Sequence, residues 1–304
     1  MTVVVKIGGA RAVEPEGALA DVAHLTANGE DSEAHGASGR SSGHGPREDV
    51  VVVHGGSTAV DETLEELGED PEYVETPGGV VGRFTDERTM EVFEMVMPGK
   101  LNTDLTAALQ NEGVDAVGLS GVDGKLLTGP RKSAVRVVED GKKKIRRGDH
   151  SGKIEDVNAD LLETLFASGY TPVVTVPMLS GEGTPVNADA DRAAAAVAGA
   201  LAADLVVLTD VAGVYEDPDD ESTVIDEAAT PAEFERVEDA AEGFMTKKVM
   251  AATEALEGGA ASVTVADANL NDPIVGALDG QGTTITPGAV GEDPVGEDEV
   301  EDRV

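Results

Sequence analysis

The chain has 304 residues, 40% of them hydrophobic, enough to bury one large core or two modest lobes. Its 60 acidic against 22 basic residues give a formal net charge of -38, a field that repels nucleic acid and anionic membrane and that suits high salt, where self-repulsion is screened. There is no cysteine, which excludes disulfides, thiolate metal sites and cysteine nucleophiles.

Near the start, Val3-Val4-Val5-Lys6-Ile7 reads as a short buried strand running into Gly8-Gly9, and it lacks the pattern of a signal peptide. No apolar run approaches the roughly 20 residues needed to span a bilayer, so a cytoplasmic protein without membrane contact is expected. Residues 28–48 are rich in Gly, Ser, His and acidic side chains without an apolar period and read as a mobile insertion that takes in His35 and His44. A second strand, Val50-Val51-Val52-Val53, ends in His54-Gly55-Gly56-Ser57, and helical patterns follow over 59–67 and 88–112.

Ten of the 22 basic residues gather between Lys125 and Lys153. Two readings stand: a solvated hairpin turning at Asp140-Gly141, or a docking site for an acidic partner or a polyphosphate. Further strands are expected at 172–176, 205–208 and 262–265, alternating with helices over 157–168, 193–202 and 247–256, and an acidic tail covers 288–304. Short apolar strands alternating with helices predict an α/β fold with a mainly parallel sheet buried on both faces.

Five elements carry chemistry. Lys6 with Gly8 and Gly9, and Gly55, Gly56 and Ser57, close two strands with glycine loops whose backbone N–H groups cradle an anion. Asn187, Asp189 and Asp191 stand at alternate positions before an alanine-rich helix, where aspartate also serves as a cap. Thr209-Asp210 and the turn through Gly213 to Tyr215 leave a strand's carboxyl edge, as a nucleotide pocket requires. Lys247 and Lys248 open a helix, which its dipole disfavours unless they face an anion.

In order and spacing these elements resemble the amino-acid kinase family, from Val3 to about Pro287. The resemblance implies a three-layer αβα sandwich forming one kinase domain over 1–287, with an acceptor-binding half at 1–175 and an ATP-binding half at 176–287. It implies Lys6 and Lys248 as the lysines that neutralise the transferring phosphoryl group, and Asp191 as the aspartate that orients them. Gly55, Gly56, Ser57, Arg83 and Asn187 correspond to the substrate site, and Gly8, Gly9, Thr209, Asp210, Gly213 and Tyr215 to the ATP site. ATP with Mg²⁺ is the implied cofactor, with no dedicated protein metal site.

Within the family the chain resembles the kinases that act on glutamate or 2-aminoadipate held on an acidic amino-group carrier protein of the LysW type. Residues 84–96 and 146–158 carry that likeness, and the basic segment 125–153 would receive the carrier. N-acetylglutamate kinase is the alternative, and a non-catalytic metabolite sensor of the same fold a remote one. A strand beginning almost at Met1 leaves no place for the extra N-terminal helix of arginine-inhibited relatives, so a homodimer without that feedback is expected. Lys6 and Lys248, from opposite ends of the chain, meet only if two lobes close together.

Overall fold

The computed structural model describes residues 1–8, 16–27, 47–79, 81–139 and 141–291. Gly9, Asp140, residues 28–46 of the expected insertion and residues 292–304 of the expected tail lie outside the described residues. In the first part the chain runs β1 (Thr2–Ile7), α1 (Glu16–Thr26), β2 (Asp49–His54), α2 (Ser57–Glu66), β3 (Tyr73–Glu75), β4 (Val81–Arg83), α3 (Glu87–Glu94), α4 (Asn102–Asn111) and β5 (Ala116–Gly121). It continues through β6 (Leu127–Gly129), β7 (Arg131–Glu139), β8 (Lys142–Gly152), β9 (Asp156–Val157), α5 (Ala159–Ala167), β10 (Thr171–Ser180) and β11 (Pro185–Val186). Then come α6 (Ala190–Ala200), β12 (Asp204–Thr209), β13 (Glu227–Ala228), α7 (Pro231–Ala240), α8 (Phe244–Glu257), β14 (Ser262–Asp267), α9 (Pro273–Leu278) and β15 (Thr283–Ile285).

One 11-stranded sheet follows the order β13-β15-β14-β12-β1-β2-β10-β6-β9, with β5 and β11 also paired to β10. Its centre, β14-β12-β1-β2-β10-β5, is parallel throughout. A parallel sheet needs cover on both faces, and the alternation of side chains along each strand divides the core in two. Val4, Val51, Val53, Val174, Leu205 and Val207 pack under α2, α3, α5, α6, α7 and α8. On the other face Val3, Val5, Ile7, Val50, Val52, Val206 and Leu208 pack under α1, α4 and α9. The expected three-layer sandwich is the one found.

Because β1 lies between β2 and β12, one sheet unites both parts of the chain, and Lys6 reaches the second part without any closure of lobes. The boundary expected at 175/176 falls inside β10. The helix expected over 88–112 is instead α3, a π-helical turn over Met95–Leu101 containing Pro98, and α4. A proline removes one N–H from the helical ladder and crowds the preceding turn, so the winding changes there. The insertion closes before its expected end: Arg47 donates to Gly169 O at 2.6 Å, and Glu48 N donates to Leu25 O at 2.9 Å. The acidic tail also starts later, since Pro287–Val290 form a 3₁₀ turn with Ala289 buried in the core. No helix among the described residues is long and apolar enough to cross a membrane.

The basic segment forms the antiparallel pair β7–β8, outside the main sheet, with Glu139 opposite Lys142 across the turn at Gly141. Its base is tied to the body: His150 N donates to Thr85 O at 2.7 Å, and Gly152 N to Asn187 O at 2.8 Å. Its tip is exposed, including Lys142, Lys143 and Lys144.

Candidate active site

The register of β1 on β2 sets Ile7 beside His54, so their terminal loops leave the sheet side by side. Gly55 N donates to Ile7 O at 3.4 Å and joins the loops. Gly56 then caps α2 without any side-chain cap, leaving that helix's first N–H groups for an anion. A Cβ at Gly56 would stand 2.1 Å from Leu101 Cδ1 and 2.9 Å from Met97 Sδ, so a larger residue there requires both side chains to shift.

Lys6 points to the α6 and α8 face, where its Nζ lies 2.6 Å from Asp191 Oδ1. Lys248, in the second turn of α8, lies 3.8 Å from the same oxygen. Asp191 is in the first turn of α6, while Asp189 performs the capping, accepting from Asp191 N at 2.9 Å and Arg192 N at 3.2 Å. The two aspartates thus divide the roles that the sequence left open. All three charged side chains are largely buried, at 6% exposure for Lys6, 12% for Lys248 and 15% for Asp191.

Burial works to raise the Asp191 pKa, but the charges of Lys6 and Lys248 outweigh it and hold the carboxyl below its ordinary range. Burial and then the Lys6 charge lower the Lys248 pKa from its usual 10.5, against the pull of Asp191, Asp189 and Asp210. Within this trio two cations surround one anion and leave one positive charge to face an anionic group, with Asp189 and Asp210 nearby.

Arg83 ends β4 and is fully engaged. Its Nη1 pairs with Asp61, and its Nη2 donates to Ser57 O at 3.0 Å and to Tyr73 Oη at 3.1 Å. It therefore borders the glycine loop, 5.2 Å above the Tyr73 ring. Asn187 follows β11, donating from Nδ2 to Thr85 Oγ1 at 2.9 Å and from its backbone to His150 O at 2.7 Å. Neither Arg83 nor Asn187 bonds to the lysine pair in the described contacts; they flank it on the side of the hairpin. A cleft of about 490 Å³ bounded by Asp86, Arg88, Glu91 and His150 opens there, between α3 and β8.

On the other side, β12 ends at Thr209, whose hydroxyl donates to Asp210 Oδ1 at 3.1 Å. The turn beyond is braced by Thr283, which accepts from Val214 N at 2.8 Å and would lie 2.6 Å from a Cβ at Gly213. Tyr215 accepts from Ala212 N at 3.1 Å through its hydroxyl. Since β12 is the neighbour of β1, this turn and the Lys6 loop share one edge of the sheet, the place where open α/β sheets bind ligands. Of the expected residues, only Gly9 cannot be located.

Sequence reasoning missed Asp61 and Thr283, which brace two site elements, and the buried Asp149, which accepts from Thr85 N at 3.4 Å and from Ser151. It also assigned no part to His54, although the residue precedes Gly55 directly.

The model of the family described as "Amino acid kinase family" matches residues 1–267. The chain belongs to the amino acid kinase family. It is 41% identical over 289 residues to a protein of Thermus thermophilus named [LysW]-aminoadipate kinase, covering 93% of this chain and 99% of that one. It is also 41% identical over 242 residues to the acetylglutamate kinase of Methanopyrus kandleri, covering 78% of this chain and 91% of that one. Among solved structures, N-acetylglutamate synthase of Neisseria gonorrhoeae aligns with a TM-score of 0.68 at 24% identity, over 94% of this chain and 59% of that one. That likeness concerns the fold.

Proposed function

We propose that the chain transfers the γ-phosphoryl group of ATP to the side-chain carboxylate of glutamate or 2-aminoadipate, each joined through its amino group to an acidic carrier protein of the LysW type. The observation that carries the kinase reading is Asp191 held between Lys6 and Lys248 beside the glycine loops. A carboxylate of pKa ~4.3 is already an ionised nucleophile at neutral pH, so no general base is needed. The protein supplies alignment and neutralisation of charge, with Lys6, Lys248 and the amides at Gly8, Gly56 and Ser57 facing the phosphoryl oxygens. Asp191 keeps both ammonium groups in position and stays ionised while doing so.

Under this reading the N-terminal half holds the acceptor, with Arg83 and Asn187 at its carboxylates. The turn from Thr209 to Tyr215 holds the adenosine part of ATP. Mg²⁺ enters on the nucleotide phosphates, as such an ion commonly takes one or two carboxylates and the rest from substrate. Among the described residues no three His, Asp or Glu side chains gather as a metal cage. The carrier docks on the basic hairpin β7–β8, beside Asn187, and the protein works as a homodimer in a cytoplasm of high salt.

The name of the Thermus relative supports the carrier-linked acceptor, and that of the Methanopyrus relative supports free N-acetylglutamate as the second reading. Glutamate and aminoadipate differ by one methylene, which a pocket separates by only about 1–3 kcal/mol, so use of both fits one site. Steady-state assays with carrier-linked glutamate, carrier-linked aminoadipate and free N-acetylglutamate decide the matter. Turnover of the carrier-linked acceptors is expected; turnover of the free compound alone overturns the carrier. ATP consumption that no acceptor stimulates overturns the kinase reading and leaves a metabolite sensor.

A further inference from the structure

We infer that Asn102 and the π-helical turn before it are positioning elements of the anion cradle, holding the Gly55-Gly56 backbone in place through the ring of His54. The inference rests on the reading of that loop as a phosphoryl site.

His54 ends β2 and is 4% exposed. Lys6, paired one step earlier in the register, turns to the α6 face, whereas His54 turns to the opposite face, toward α4. Its Nδ1 lies 3.0 Å from Gly55 O. A carbonyl only accepts, so Nδ1 carries the proton and Nε2 bears a lone pair. Asn102 Nδ2 stands 3.1 Å from that Nε2 and donates to it. The same Nδ2 gives its second hydrogen to Val173 O, 2.8 Å away on β10. Both amide hydrogens are thereby used, which sets the orientation of the Asn102 amide and, through it, the tautomer and angle of the imidazole. Burial lowers the His54 pKa, keeping the ring neutral as this chain of bonds requires.

The surroundings are cut to the same purpose. A Cβ at Gly118 would lie 2.1 Å from Asn102 Oδ1, so a larger residue there would displace the amide from this position. In the π-helical turn Asn102 N donates to Met97 O, five residues back. Bonding at that spacing brings residues four and five apart onto one face, and Met97 and Leu101 press on Gly56 while Asn102 meets His54. A regular α-helix through this region would carry Asn102 away from that face. Asn102 touches no reacting atom; it is buried, and its effect on turnover passes through His54 and the Gly55 carbonyl.

Two measurements test this. In long-range ¹H–¹⁵N spectra of the wild-type protein, His54 is expected as the neutral ring with Nδ1 protonated; an Nε2-protonated ring or an imidazolium overturns the inference, whatever the fate of the kinase reading. In Asn102→Leu, which leaves Nε2 without its donor, kcat is expected to fall at least tenfold with KM for ATP changed less than twofold. A kcat within twofold of wild type, or a loss confined to KM, overturns it. Absence of acceptor-dependent turnover in the wild type would sink the kinase reading alone, and the ring spectra then decide the inference: loss of the Nδ1-protonated His54 signature in Asn102→Leu is expected, and an unchanged signature overturns it.

Discussion

Lys248 sits where burial and the neighbouring Lys6 charge both oppose its protonation. Its pKa is lowered from 10.5 by burial and by Lys6, so it releases its proton at a lower pH than an ordinary lysine and turnover falls on the alkaline side. Lys248→Arg, which keeps its charge, is expected to move that alkaline limb upward in a profile of kcat/KM for ATP, whatever it costs in absolute rate; an unmoved limb assigns it to another group. Under the proposed function Lys6→Ala and Lys248→Ala each remove one cation facing the phosphoryl oxygens, and such a loss typically costs about 2.7–4 kcal/mol, or roughly a hundredfold or more in kcat. Single-turnover rates of the folded variants check this. Arg83→Ala is expected to raise the acceptor KM roughly tenfold or more with little change in KM for ATP, because under the proposed reading it removes the cation at the acceptor's carboxylate. Lys6, Asp191 and Lys248 were legible because the order and spacing of their motifs resemble the amino-acid kinase family, helped by lysines that open a helix against its dipole. His54 and Asn102 were not, since a histidine beside glycines and an asparagine within a helical run look alike whether bonded or idle.

Among the elements, β7–β8 departs furthest from the rest of the molecule in charge. Part of its charge is met within the chain, by Glu139 at Lys144 and by Glu72 at Arg146, and Arg146 also lies 4.1 Å over the Phe84 ring. Lys142 and Lys143 at the tip stay turned to solvent. Reversing both, Lys142→Glu with Lys143→Glu, is expected to raise the KM for a carrier-linked acceptor roughly tenfold at low salt and to leave kinetics with free N-acetylglutamate unchanged. Equal effects on both acceptors would place the carrier elsewhere. The hairpin was legible from its turn and its clustered lysines, and five of the six central strands from their β-branched runs; β5 was not. The π-helical turn was not, because periodicity over 88–112 continues across Pro98 and only the packing of Met97, Leu101 and Asn102 reveals the change of winding.

At the scale of the whole molecule, the net charge of -38 opposes the compact state unless ions screen it. Melting temperature is expected to rise steadily with KCl up to molar concentrations; a flat response would show that the charges lie too far apart to matter. Sheet order could not be read from the strands, since any buried apolar strand fits any central place. The observed order has a consequence for biosynthesis. β1 leaves the ribosome early, yet one of its edges stays unpaired until Asp204–Thr209 has been made. At about 5–20 residues per second that wait is on the order of ten to forty seconds. For that interval the segment carrying Lys6 is an open apolar edge, the kind of surface on which nascent chains aggregate. Assembly of the proposed catalytic centre is therefore a late event in the synthesis of its own polypeptide.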